Sequence, residues 1–436
     1  MVKTEAQDMM TYGSLILSRN LMRMIRHLSF LFIKVIILTL TVTNARGQTP
    51  FGSVYSIFGV GEIQPQSSIQ SSGMGFASIA INSPYWANTV NPAANTNLGG
   101  IYTHIFDFGV YYAQINYDKQ STSETLSGGG ISHLSYWYRF SNKWTGIIGI
   151  SPYSKVGYNI TSNKIAVEEG NTYSVNYKGT GGLNKIYFGQ GYEVIKNLTL
   201  GVTVNYIMGN LRHEEHVTGL SNGTTFEVVN QTSLHKLDLD FSANYKINIK
   251  DSQLSIGAIY NDKRELSGTT TQKLTEPDVE AFYDESEKAS TYILPEKYGA
   301  GISFLNKKLM ISGEIEFNRW SEAIIENSES NLNDTWRFAG GIELTPDREG
   351  PYLSRVNYRI GYFTENSYLT IEDTKFGNQG ITLGLGIPFK SNGAMNIAYL
   401  WQSNGTTSNN LILETTHKIT LAFSIRNVWF VKSKYQ

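Results

Sequence analysis

The side chains best suited to chemistry in this 436-residue sequence are few and poorly arranged for it. His213-Glu214-Glu215-His216 gathers imidazoles and carboxylates, but a helical metalloprotease pair needs histidines four apart on one face. These are three apart at the end of an alternating stretch, so no metal site is expected. Gly128-Gly129-Gly130 and Gly179-Thr180-Gly181-Gly182 lack the following Lys-Ser or Lys-Thr and the helix of a phosphate cradle, and read as loop material. His104 and His133 could serve a hydrolase, yet no motif ties either to a positioned serine. The chain has no cysteine, which removes thiol nucleophiles, disulfides and Cys-ligated metals. Its 36 basic and 37 acidic residues nearly cancel, which excludes the basic field that nucleic-acid binding uses. The reading is of a protein without catalysis, cofactor or metal, whose function lies in what its elements enclose.

Those elements begin with an address. Arg23 and Arg26 precede an apolar stretch that closes at Ala45-Arg46-Gly47, the pattern of a secretory signal peptide cleaved after Gly47, with residues 1–21 an over-called start. Leu28 to Val42 is 15 residues and Lys34 interrupts the wider segment, short of the roughly 18 to 20 residues of a spanning helix. Cleavage removes six bases and two acids and leaves a mature net charge of −5. No cysteine follows to carry a lipid anchor.

Length alone leaves open several soluble domains or one large barrel, and periodicity decides between them. After residue 100 helical spacing is hard to find, while alternation is everywhere. Leu237, Leu239, Phe241, Ala243, Tyr245, Ile247 and Ile249 alternate with Lys236, Asp238, Asp240, Ser242, Asn244, Lys246, Asn248 and Lys250. Strands of this kind have one apolar and one polar side. About fourteen are expected, near 101–117, 131–141, 144–160, 182–194, 198–213, 232–249, 252–270, 296–306, 308–320, 334–345, 353–370, 379–389, 394–403 and 412–430. Tight turns at 141–143, 195–197, 250–251, 306–307 and 391–393 alternate with long polar loops at 118–130, 161–181, 214–231, 271–295, 321–333, 371–378 and 404–411. The fold expected is all-β, a transmembrane antiparallel β-barrel over 101–436 with its short turns in the periplasm. Trp137 and Trp144, with Trp429 and Phe430, would form the periplasmic aromatic girdle, and Trp320, Trp336 and Trp401 the outer one.

Residues 48–100 do not alternate. They carry Tyr55-Ser56-Ile57-Phe58-Gly59-Val60-Gly61-Glu62, the element Gly73-Met74-Gly75 and Asn91-Pro92-Ala93. This arrangement before fourteen strands resembles the FadL/TodX-type outer-membrane transporters of hydrophobic compounds. The resemblance implies that residues 48–100 form a hatch inside the barrel, with Gly73, Met74, Gly75, Asn91, Pro92 and Ala93 as hatch structure. It implies uptake of long-chain fatty acid-like or aromatic molecules, captured by extracellular loops and released sideways into the bilayer at a kinked third strand. Pro152 is the candidate kink, with Gly149, Tyr153 and Gly157 around it. A residue without an N–H breaks a ladder, and a wall-bending bulge is the alternative.

The loop at 271–295, with Glu276, Asp278, Glu280, Asp284, Glu285 and Glu287, is a poor receptor for a carboxylate. Glu314, Glu316, Arg337, Glu343 and Arg359 fall on lumen-facing positions of three consecutive strands, either as a network holding the hatch or as a polar path. The partners expected are the outer-membrane bilayer and a small hydrophobic ligand. Two further readings remain: a barrel docking an outer-membrane or secreted protein, as similar barrels do in type IX secretion, and a general porin.

Overall fold

The computed structural model describes residues 50–98, 102–120, 122–168, 171–219, 225–275, 283–325, 328–329, 332–389 and 392–427. The expected signal peptide and its cleavage near Gly47 lie outside these residues, as do Trp429 and Phe430. So do the side chains of the acidic run from Glu276 to Glu287.

Fourteen antiparallel strands close a barrel. They are β1 His104–Lys119, β2 Thr122–Ser141, β3 in two pieces, Trp144–Pro152 and Ser154–Glu168, β4 Asn171–Ile195, β5 Leu198–Thr218 and β6 Phe226–Ile249. Then follow β7, Ser252–Asn261 and Arg264–Thr275, β8, Tyr283–Leu294 and Lys297–Leu305, β9 Leu309–Asn318 and β10 Thr335–Leu344. β11 Asn357–Ile371, β12 Thr374–Pro388, β13 Gly393–Gly405 and β14 Leu413–Asn427 complete the wall. Closure comes from β14 pairing with β1, from His104↔Asn427 to Asp118↔Leu413.

Alternation sets the two faces. Leu237, Leu239 and Phe241 on β6 are exposed, and so are Ile381, Leu383 and Leu385 on β12 and Ile419, Leu421, Phe423 and Ile425 on β14. An exposed apolar surface repeated strand after strand is stable only against lipid. Their neighbours point inward, where Thr203, Asn205, Asn244, Ser255, Thr382 and Asn396 are buried.

The strands run further than their hydrophobic pattern suggests. Residues 118–130, 161–181 and 371–378, expected as long loops, are mostly strand, and β11 passes to β12 through Glu372 and Asp373, both with positive φ. Beyond the lipid-facing belt both faces of a strand meet water, so alternation vanishes while the ladder of backbone hydrogen bonds continues. The tight turns at 141–143, 195–197, 250–251 and 306–307 stand where they were expected, and Ser391 of the fifth lies outside the described residues.

Two tryptophans correct the girdle assignment. Trp137 is fully buried among Ala87, Leu98, Ile105, Ile147 and Tyr187, and Trp320 is buried and stacked on Tyr368 at 4.2 Å. Trp144 and Trp336 do face outward, 44% and 47% exposed, against Phe140 and Phe317. A two-residue period fixes a side chain's face only by its parity within the strand. Trp137 shares the inward parity of His133 and Ser135, so position near a turn was the wrong guide.

Candidate functional site

The amino-terminal segment, residues 50–98, is seated against lumen-facing residues of the wall. It holds a 3-10 turn Val54–Ile57 capped by Ser53, a two-residue strand Glu62–Ile63, a helical turn Ile69–Ser72 capped by Ser68, and a second 3-10 turn Pro92–Asn95. Met74, Ile79, Ala80, Ile81 and Ala93 have no measurable exposure. Asn88 ties the segment to itself. Its amide donates to Ser78 O and Ile81 O, at 2.6 and 3.0 Å, and its oxygen accepts from Asn91 N at 2.9 Å. Asn91 in turn donates to Ile79 O at 2.7 Å and to Ala243 O of β6 at 3.1 Å.

Three patches of wall glycine receive it. Gly73-Met74-Gly75 presses against Gly340, Gly341, Gly361 and Gly384, and a β-carbon on Gly361 would lie 2.7 Å from Met74 Cα. Ile79 and Ala80 meet Gly257, Gly299 and Gly301, where a β-carbon on Gly257 would lie 2.8 Å from Ala80 Cα. Pro92 and Ala93 meet Gly189, Gly191 and Gly201, the last leaving 2.8 Å between a β-carbon and Ala93 N. Glycine is required here because backbone touches backbone. Of the expected residues, Gly73, Met74, Gly75, Pro92 and Ala93 lie at these seats, and Asn91 reaches the wall through its bond to Ala243 O. The receiving glycines were not foreseen, although their alternate spacing on β4 and β8 was a readable signal.

The five lumen charges form two groups. Arg337 donates to Glu314 and Glu316, both at 3.2 Å, and to Gly75 O at 3.0 Å. Glu314 accepts from Ser78 N at 2.6 Å and Ile79 N at 2.8 Å, so one buried pair grips two points of the segment. Separately, Arg359 donates to Glu343 at 2.7 Å and to Asn396 at 3.1 Å.

At Pro152 the wall changes partner. The β2–β3 ladder runs from Ser141↔Trp144 to Leu134↔Ile150 and stops, and among the described residues no strand of the wall pairs with Ser154–Glu168 on that side. On the other side β3 stays bonded to β4 across a bulge, with Tyr153 N donating to Leu183 O at 2.8 Å. The start of the vacated edge is taken by the amino-terminal segment. Glu62↔Lys155 and Ile63↔Ser154 pair antiparallel, Gln64 N donates to Tyr153 O at 2.9 Å, and the Gln66 amide donates to Pro152 O at 3.0 Å. Phe51 and Gly52 lie against Gly128 of β2 and Gly157 of β3. Gly149 makes room for the Tyr187 ring, and Tyr153 is buried with its hydroxyl 3.3 Å from Arg264, which is ion-paired to Asp238 and Asp240.

A cavity of about 510 Å³ opens beside the break, lined by Gln66, Ile69, Phe76, Ser132, Ser151 and Pro152 among others. A second, of about 280 Å³, lies nearer Phe51, Tyr55 and Glu414. The structure places a serine beside His133 where none was foreseen. A bulge between Gly109 and Val110 brings Ser132 Oγ 3.0 Å from His133 Nδ1, but among the described residues no carboxylate within 4 Å completes a relay. Of the His213–His216 run, His213 bonds Tyr158 at 2.6 Å, while His216 lies 3.5 Å from Glu214 and 3.7 Å from Glu227. Glu214 is already held by Lys178 and Arg212, at 3.0 and 2.5 Å.

The BamG family model matches residues 24–436. The chain belongs to the BamG family. None of the curated proteins matches it. Among solved structures, the Pseudomonas aeruginosa FadL homologue is similar at 12% identity and a TM-score of 0.57, over 85% of this chain and 99% of that one. The Pseudomonas putida toluene transporter TodX is similar at 14% identity and 0.55, over 85% and 100%. The Ralstonia pickettii toluene transporter TbuX is similar at 15% identity and 0.53, over 82% and 97%. The FadL/TodX resemblance holds at the level of the fold, and BamG is the family.

Proposed function

We propose that this BamG-family barrel is an outer-membrane channel for small hydrophobic molecules, long-chain fatty acid-like or aromatic. In this reading residues 50–98 are the hatch, the loop end of the barrel captures the ligand, and the break at Pro152 releases it sideways into the bilayer. The observation that carries the proposal is the ladder that ends at Leu134↔Ile150 beside a cavity of about 510 Å³. A gap between two strands of a lipid-facing wall exposes unpaired backbone to hydrocarbon, a cost that persists only where something compensates it. Here Glu62–Ile63 supplies two rungs of the missing ladder, and in this reading the gap opens when that short element withdraws. A general porin is disfavoured by the same residues, because the segment fills lumen that a diffusion pore leaves open. The proposal is tested by uptake of a radiolabelled monoaromatic hydrocarbon and a radiolabelled long-chain fatty acid into cells with and without the protein. Faster entry of at least one compound with the protein is expected, and equal rates for both would overturn the reading.

A further inference from the structure

The lipid-facing side of the wall carries a hollow. Phe241 of β6, Tyr260 of β7, Tyr298 of β8, Phe317 of β9 and Trp336 of β10 are register partners in one row across five neighbouring strands. Their rings pack on one another, Tyr260 on Tyr298 at 5.1 Å and Phe317 on Trp336 at 4.6 Å. Both tyrosines are also tied at their tips, the Tyr260 hydroxyl donating to Asp262 at 3.3 Å and the Tyr298 hydroxyl to Glu296 at 3.1 Å. The row is therefore a fixed ledge. One outward row nearer the tight turns stand Ala243, Ala258 and Ala300, themselves register partners. Leu200 of β5 ends that row on one side and Ile315 of β9 on the other. The next outward row is large again, with Tyr245, Ile256 and Ile302 exposed. The result is a hollow of about 610 Å³, and among the described residues no charged side chain lines it.

Depth decides what fills it. Tyr260 stands nine residues along β7 from Asp251 of a tight turn, which is about 30 Å of strand and about 23 Å of height at a tilt of roughly 40°. The apolar band of such a barrel is about 25 Å tall, so the ledge marks its outer edge. Charge begins immediately beyond it, with Asp262, with Lys263 paired to Glu322 and with Arg319 paired to Glu296. The hollow therefore lies just inside the hydrocarbon, on the side away from the tight turns and roofed against water. Its occupant must come from the bilayer. The ledge and the Tyr245 row are four residues apart on each strand, about 13 Å between backbones before their side chains are counted. A helix 10–12 Å across would rest on those rims, whereas a single hydrocarbon chain reaches the alanine floor. Within lipid, close packing rather than water exclusion selects the contact, and an unfilled hollow loses the dispersion contacts that one ordered chain supplies.

We propose that this hollow binds one acyl chain of an outer-leaflet lipid in a fixed position, with the head of that lipid above the aromatic ledge. The site is continuous with the lipid-facing wall and goes beyond the channel reading, on which it does not depend.

The test is native mass spectrometry of the full-length protein, extracted from outer membranes and washed in detergent, with acyl-chain analysis of the lipid released from it. Wild type is expected to retain one lipid per chain. Ala258→Phe/Ala300→Phe fills the hollow from the outer face and should carry lipid on at least fivefold fewer molecules. Ile381→Phe, at a lipid-facing position of β12, should carry as much as wild type. Unchanged heat-modifiable migration on gels identifies variants that remain folded. A lipid held in the lumen would survive the phenylalanine pair, so equal retention by the filled variant would overturn the site, as would wild type without lipid. A wild-type dimer that the same pair converts to a monomer would overturn the lipid in favour of a second copy of the chain. Retention is read without transport, so this inference and the channel reading can fail separately.

Discussion

Lys155 of the third strand is paired in register with Glu62 of the amino-terminal segment and with no residue of the second strand. A wall strand that exchanges its neighbour for a piece of the segment couples the position of that segment to the continuity of the barrel.

The glycine seats should be intolerant of side chains. Gly361→Val puts new atoms where Met74 Cα would be 2.7 Å from the β-carbon. Overpacking of this kind costs about 1–3 kcal/mol, and it falls on the segment because the barrel ladder is untouched. Limited proteolysis should cut residues 69–98 at least tenfold faster in the variant, with heat-modifiable migration of the barrel retained. Cleavage at the wild-type rate would show that the seat is not tight.

Arg337 should matter more for stability than its neighbours on the outer face. Among the described residues Arg337→Met removes the ion-pair partner of buried Glu314, one of the two cations on Glu316, whose other is Lys297, and the donor to Gly75 O. Leaving buried charges uncompensated costs about 3–5 kcal/mol. Urea unfolding in detergent is the measurement, and the additional substitutions Glu314→Gln and Glu316→Gln should recover part of the loss.

The pairing of the segment with β3 should weaken as pH rises. Burial holds the Glu62 carboxyl above the ordinary carboxylate range, against the opposing pull of Lys418 and Lys155. A group whose folded pKa lies above its unfolded value binds its proton more tightly when seated. The seated state therefore gains as pH falls through the folded pKa and is least favoured above it. Amide protection at Gln64, corrected for intrinsic exchange, should be higher at pH 5 than at pH 8 in wild type. In Glu62→Gln the difference should vanish.

Tryptophan depth separates the two faces. Trp144 and Trp336 should be quenched by bilayers of brominated lipid, and Trp137 and Trp320 should not, when each is measured in a variant retaining that one tryptophan. Quenching of Trp137 would invert the parity of β2.

How much of this was legible depends on the range of the interaction. Strand faces were, because parity within a strand is local and the bilayer rewards it at every second residue. The pairs Glu316↔Arg337 and Glu343↔Arg359 were, because opposite charges sat at lumen positions of neighbouring strands. Pro152 announced its break through chemistry it carries alone. The match of each seat to its occupant was not legible, since Gly361 receives Met74 and Gly257 receives Ala80 from 287 and 177 residues away. Nor was the occupant of the vacated edge, because backbone pairing at Ile63↔Ser154 leaves no mark on side-chain type.

The proposed route requires the segment to leave the break for a ligand to pass. The protein has no cysteine of its own, so a disulfide between Ile63→Cys and Ser154→Cys, register partners across that pairing, would be the sole one in the chain. Antiparallel partners about 4.5–5.5 Å apart at Cα suit a disulfide. The decisive measurement is uptake of the labelled hydrophobic compound by cells carrying the oxidised double variant, before and after a reductant. The expected result is at least a tenfold fall in the protein-dependent rate when oxidised, restored on reduction. Uptake at the wild-type rate with the disulfide intact would contradict it.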